Sequence, residues 1–238
     1  MSSSVVIDCF PESARHYVEG YAIVAIDVIR ATTTAVTAVS RGRRLFPVPS
    51  LEAAVPTAAK LKNPILVGEL GGNMPWGWDL TNSPVAVDND DDLERPMILL
   101  SSSGTKLIDR SRSATAVYLG CVRNFTATAR YLAERHPRVA VLGAGTRGEF
   151  REEDQVGCAW IARELIKLGF KAEDGKTSQI VERWADADVS ACASGNSARY
   201  LKRSGQQHDL DFVLSHVDDI DAAFMVKHGE VVMLPVGA

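Results

Sequence analysis

The sequence predicts an α/β fold, a mostly parallel sheet flanked by helices on both faces. Two observations carry this. Apolar, β-branched runs alternate with helical patterns through most of the 238 residues, and parallel strands need such crossover connections. A content of 46% hydrophobic and 24% charged residues suits a chain able to bury a large core.

Taken in order, Tyr21–Ile26 reads as a buried strand, 33–41 as a helix ended by Gly42, and 45–48 as a second strand, which gives β-α-β. Ser50 is placed to cap a helix reaching Lys62, with Pro56 as a kink, before a short strand over 65–67. The stretch ELGGNMPWGWDLTNSP, residues 69–84, holds too much Gly, Pro and Asn for a regular element, and a loop of that length is a candidate site. Strands at 97–100, 116–119 and 139–142 follow, separated by helices at 105–110 and 124–135. A long helix covers 152–168, the pattern stays mainly helical to Ser204, and a last strand fits 231–234. No repeat or linker interrupts the series. The chain is read as one unit over 1–238, with residue 145 the place where a second subdomain would begin.

A formal net charge of −4 leaves no basic footprint for nucleic acid. No apolar run approaches membrane-spanning length and MSSSVVIDCF is unlike a secretory signal, so no membrane partner and a cytoplasmic location are expected; a homo-oligomer stays open. Cys9, Cys121, Cys158 and Cys192 lack CxxC spacing and read as reduced, buried thiols.

Three polar clusters follow predicted strands: Asp27 to Thr34, Ser101 to Thr105 and Gly143 to Glu149. Small hydroxyl residues and Gly at a strand-to-helix turn leave amides free to face an anion, and each cluster taken alone is also explained as a helix cap. Three together favour phosphate binding. Asp27, Glu69, Asp79, Glu149, Glu153 and Asp154 lie in or beside these loops, where carboxylate oxygens suit Mg²⁺. Asp27 stands out, since an acid ending an apolar strand is costly to desolvate without a partner.

Several familiar phosphate chemistries do not fit. A Walker A loop is absent, and Gly143, Gly145 and Gly148 match GxGxxG only superficially. Ile29 stands where a haloacid-dehalogenase phosphatase would carry its second Asp. Cys9 to Arg15 satisfies Cys-x5-Arg, but Pro11 removes an amide and Glu12 adds a repelling charge, so the match is read as coincidence.

DVIRATTT at 27–34, GELGGNMPWGWDLTNSP at 68–84, SSSGT at 101–105 and GEFREEDQVGCA at 148–159 together resemble the 2-phosphosulfolactate phosphatase (ComB) family, in order and spacing, over nearly the whole chain. The resemblance implies a ComB-like α/β fold. It also implies a Mg²⁺-dependent phosphoric monoester hydrolase that converts (2R)-2-phospho-3-sulfolactate to (2R)-3-sulfolactate and phosphate, a step of coenzyme M biosynthesis. Leu70 departs from the more common Arg, and Ser103 from Asn. On this reading Asp27, Glu69 and Asp79 are metal ligands and Arg30 clamps anionic oxygens. Glu149 or Asp154 is a further ligand or the general base. Thr32, Thr33, Thr34, Asn82, Ser83, Ser103, Gly104 and Thr105 face the substrate, a small phosphorylated (sulfo)carboxylic acid. Another small phosphorylated acid as substrate, or a non-catalytic phosphate-ester binder, remain the alternatives.

Overall fold

The computed structural model describes residues 3–236. Ten strands form one sheet: β1 (Ser4–Cys9), β2 (Ala22–Ile26), β3 (Leu45–Val48), β4 (Ile65–Gly68), β5 (Met97–Leu100), β6 (Ala116–Gly120), β7 (Arg138–Gly143), β8 (Lys171–Ala172), β9 (Ala222–Lys227) and β10 (Glu230–Pro235). The helices are α1 (Ala31–Ser40), α2 (Leu51–Ala58), α3 (Pro84–Asp88), α4 (Gly104–Arg110), α5 (Phe125–Ala133), α6 (Glu152–Lys167), α7 (Gly175–Trp184), α8 (Asn196–Arg203) and α9 (Gln207–Ser215).

Every strand expected from the sequence is present, most within a residue of its expected ends. Helix α2 is shorter than expected because beyond Ala58 the chain tightens into i→i−3 bonds, Lys60 N–H to Thr57 C=O at 3.2 Å and Leu61 N–H to Ala58 C=O at 3.0 Å. Strands β1, β8 and β9 and helices α3 and α9 were not expected. In the acidic run after α3, Asp90 pairs with buried Arg43 at 3.1 Å, and Asp91 pairs with Arg41 at 2.9 Å while staying exposed.

The sheet order is β4-β5-β3-β10-β9-β6-β2-β7-β1-β8. Strands β4, β5 and β3 pair in parallel, as do β6, β2, β7, β1 and β8; the β9-β10 hairpin joins the two blocks through three antiparallel junctions. Three reversals make the blocks run in opposite senses, so the sheet has no single carboxyl edge. Curling of the sheet brings the blocks' loops together instead. Strands β2 and β3 lie four spacings apart, about 19 Å in a flat sheet. Helix α4 nevertheless contacts both, and a helix is only about 10–12 Å across. Ten twisted strands seldom stay open and flat.

Successive residues of β2 serve opposite faces, and all are buried. Ile23 and Ala25 join Ala35, Val36, Leu99 and Leu107 under α1 and α4. Val24 and Ile26 join Phe125, Leu132, Ile161 and Leu165 under α5 and α6. Among the described residues no helix is long and apolar enough to cross a membrane.

Candidate active site

A cavity of about 530 Å³ opens where the loops after β2, β4, β5 and β7 meet α8. Its wall at the end of β2 is built from the backbone outward. Thr32 Oγ1 accepts from Asp27 N–H at 3.0 Å and donates to Asp27 C=O at 2.9 Å, and Thr33 Oγ1 donates to Val28 C=O at 2.7 Å. These bonds turn β2 directly into α1 and start the helix at Ala31, two residues earlier than the apolar pattern suggests. The Asp27 carboxylate accepts from Ala31 N–H at 3.3 Å and from Gly104 N–H. A Cβ at Gly104 would sit 2.4 Å from Asp27 Oδ2, so only glycine lets α4 approach this closely.

Burial, with the charges of Glu69 and Glu153 added to it, pushes the Asp27 carboxyl up to about 7 against the pull of its two amide donors. Glu69 is held in the same wall: Ser102 N–H and Gly72 N–H each reach it at 2.7 Å, and Ser102 Oγ at 2.9 Å. Glu153, in the first turn of α6, is buried with Oε2 unpartnered, and its carboxyl is raised chiefly by burial. Its neighbour Asp154 is buried too and accepts from Val28 N–H at 2.9 Å and Gly145 N–H at 3.1 Å. That carboxylate ties the β2 and β7 loops together, and burial beside Asp27 holds it well above the usual range.

Asp27, Arg30, Glu69, Asn82, Ser103 and Glu149 all line the cavity. The remaining expected site residues stand behind the wall or away from it. Thr32, Thr33 and Asp154 brace the backbone, Thr34 is buried, and Gly104 gives room to Asp27. Thr105 and Ser101 cap one another, with bonds of 3.0 and 2.9 Å between side chain and amide. Ser83 caps α3 through Ala86 N–H at 3.0 Å and donates to Asp209. Asp79 accepts from Leu66 N–H at 2.8 Å and faces Arg95 at 3.6 Å, outside the cavity lining.

Arg30 is more committed than the sequence suggests. It is buried, and Nη1 donates to Gln206 Oε1 at 2.6 Å and pairs with Asp209. Nε and Nη2 have no acceptor among the described residues, and neither is sealed from solvent, so this edge of the fork is left to the cavity.

Of the second wall, the sequence marks the β7–α6 loop, through Gly143 to Glu149, but not α8. Arg147, Arg151, Asn196, Tyr200 and Arg203 line it, from the β7–α6 loop and α8. Arg151 pairs with Glu149, to which Asn196 Nδ2 also donates at 2.8 Å, and Tyr200 OH donates to Gly72 C=O at 2.7 Å. No local motif marks α8, which reaches the cavity only through tertiary packing. Leu70 packs with Val48, Ala54, Ile98 and Leu100, while Ser103 lies 3.5 Å from Thr146.

Carboxylates, start-of-helix amides and guanidinium groups around one concavity can bind an anionic ester and polarise it. Comparison with known proteins agrees. The description "2-phosphosulpholactate phosphatase" matches residues 9–228. A Deinococcus radiodurans protein named "Probable 2-phosphosulfolactate phosphatase" is 33% identical over 87% of this chain and 86% of its own. Proteins of the same name from Synechococcus sp. (strain CC9605) and Caldanaerobacter subterraneus subsp. tengcongensis are 33% and 29% identical, covering 80% and 87% of this chain and 82% and 88% of theirs. A match that runs from the end of β1 to the β9-β10 turn takes in both walls of the cavity, and the chain belongs to the 2-phosphosulfolactate phosphatase family, whose members are phosphoric monoester hydrolases.

Proposed function

We propose that the chain hydrolyses (2R)-2-phospho-3-sulfolactate to (2R)-3-sulfolactate and phosphate, with Mg²⁺ as cofactor, in the cytoplasm and as a step of coenzyme M biosynthesis. The observation that carries this is the juxtaposition of Asp27 and Glu69 with the free edge of Arg30 in one cavity, beside the amide of Gly104 at the start of α4.

The donor set fits Mg²⁺. Among the described residues no three His, Cys, Asp or Glu side chains form a metal cage, but Mg²⁺ is ordinarily held by one or two carboxylates together with waters and substrate phosphate. Asp27 and Glu69 supply two carboxylates whose mutual repulsion a cation would relieve, and Asn82 offers a buried, unpartnered Oδ1 in the same wall. When bound, the ion neutralises phosphoryl charge and makes water more acidic.

The chain's own groups do the rest. Arg30 directs Nε and Nη2 at two phosphoryl oxygens, Ser102 and Ser103 add hydroxyl donors, and Glu149 accepts the proton of the attacking water. Glu149 is preferred to Asp154 for that last role because Asp154 is buried outside the cavity lining, where it braces the Val28 and Gly145 amides. Phosphate release from 2-phospho-3-sulfolactate and from a panel of phosphorylated hydroxy acids, with Mg²⁺ and with EDTA, tests the reading. Turnover of phosphosulfolactate that disappears with EDTA is expected. Full turnover by metal-free protein would remove the cofactor from the mechanism.

A further inference from the structure

Two cations of the cavity have no partner among the described residues. Arg30 is committed to Asp209 and Arg151 to Glu149, whereas Arg147 and Arg203, both exposed at the cavity, make no ion pair or side-chain hydrogen bond with any described residue.

Arg147 is moreover displayed from an unfavourable backbone position. Thr146 and Glu149 exchange amide-to-carbonyl bonds of 3.0 and 3.1 Å around Arg147 and Gly148, whose φ angles are 53° and 75°. Two positive φ angles in a two-residue hairpin make a type I′ turn, and its first position prefers Asn, Asp or Gly. A long side chain there is disfavoured, and no ion pair or side-chain hydrogen bond among the described residues accounts for it. Such an outlier beside a cavity points to a role with a ligand.

We propose that Arg147, together with Arg203, binds the second acidic group of a phosphorylated diacid, the carboxylate or sulfonate remote from the phosphate. The inference rests on the phosphatase reading for placing the phosphate at Asp27 and Arg30. The substrate then extends past Ser103, which lies 3.5 Å from Thr146, toward the turn. Leu70 packs into an apolar cluster outside the cavity lining and contributes no charge to it, which leaves Arg147 and Arg203 as the cations on this side.

The discriminating variant is Arg147→Asn. Asn-Gly is the favoured pair for this turn, so the substitution removes the cation while retaining the fold. Calorimetric affinities, in Mg²⁺, for non-hydrolysable phosphonate isosteres of isopropyl phosphate, 2-phospholactate and 2-phospho-3-sulfolactate compare ligands with no, one and two further acids. The variant should lose roughly tenfold or more in affinity for the third ligand relative to the first, the scale of one charge-assisted contact, with its thermal midpoint unchanged or raised. A penalty that first appears with 2-phospholactate assigns the carboxylate; one confined to the third ligand assigns the sulfonate. Equal penalties on all three ligands, no penalty at all, or a wild type that does not favour the acids would overturn the proposal. A lowered midpoint with unchanged affinities would also overturn it, since Arg147 would then serve the fold; Arg203→Ala repeats the comparison away from the turn. Turnover is scored separately: discrimination without hydrolysis contradicts the phosphatase reading and leaves this one standing.

Discussion

The two walls of the cavity are held by different means. At the end of β2 the fixing bonds run between side chains and backbone and are buried: Thr32 around Asp27, Thr33 to Val28, and Asp154 to Val28 and Gly145. The β7–α6 turn and α8 hold their polar groups by contacts nearer solvent, Glu149 with Asn196 and Tyr200 with Gly72, while Ala198 and Leu201 anchor α8 itself in a small apolar cluster with Leu210. Buried bonds to backbone are expensive to leave unmade and so fix geometry, while exposed polar pairs contribute about 0–1 kcal/mol and yield readily. Charge that must be in place before a substrate arrives sits on the rigid wall. On the wall proposed to recognise the rest of the substrate, the exposed side chains are free to adjust.

Breaking the rigid wall's chemistry without its bonds should have the largest effect. Asp27→Asn keeps the shape of the side chain and removes its charge. Turnover should fall on the order of 100- to 1,000-fold, as on removing one preorganised electrostatic contact. The thermal midpoint in metal-free buffer should hold or rise, because burial and the charges of Glu69 and Glu153 all oppose an ionised Asp27. Rates like wild type in the folded variant would take Asp27 out of the site.

Arg30 sharpens the comparison, because it belongs to the rigid wall through a buried ion pair. Arg30→Ala leaves Asp209 buried without its cation, and loss of one partner from such a pair typically costs about 3–5 kcal/mol. Replacing both members, Arg30→Leu with Asp209→Leu, should recover much of that stability while turnover stays low in both proteins. Asn196→Ala on the other wall should shift stability by no more than about 0.5 kcal/mol, as an exposed substitution does. Denaturant titration of the four proteins reads the stabilities, and phosphate release reads the turnover. Equal losses for Arg30→Ala and Asn196→Ala would erase the distinction between the walls.

The same difference explains what could be read from the sequence. The rigid wall is local in the chain: Asp27, Arg30 and the three threonines are adjacent, and the strand-to-helix turn that holds them is visible in its apolar run and hydroxyl residues. Glu69 and Ser103 were legible for the same reason. Nothing local marks Asn196, Tyr200 or Arg203, whose helix comes to the cavity through packing on elements far away in sequence. Nor does any pattern reveal that Asp209 neutralises Arg30 across 179 positions. The fold divides similarly. Continuous apolar runs disclosed the parallel strands other than β1 and β8, while β9, in AAFMVK, opens on two alanines and holds a single β-branched residue, and with it the reversal between blocks was hidden. Whether the Asp79 carboxylate faces the cavity or, as here, the Leu66 amide cannot be seen in a glycine-rich loop read as sequence.

The smallest effect is expected at Cys9, outside both walls. Its spacing to Arg15 matches a phosphate-binding cysteine loop, which needs a low-pKa thiolate ringed by amides. The structure builds neither. Residues 11–16 wind into a 3-10 helix with Pro11 at its start, and Arg15 Nε is directed to His16 Nε2 at 3.3 Å. Burial pushes the Cys9 thiol up to about 12; Lys176 pulls the other way, and the charges of Asp8 and Asp154 raise it further. At neutral pH it is a buried thiol at the end of β1, 4% exposed. Cys9→Ser puts a hydroxyl where a weakly polar thiol packs, so a stability loss of about 1 kcal/mol is expected from desolvation. kcat/KM should change less than about twofold, which is under 0.5 kcal/mol at the transition state. Trapping of a phosphocysteine during turnover by the wild type, with loss of turnover in Cys9→Ser, would move the chemistry from the carboxylate wall to β1 and break the comparison at its root.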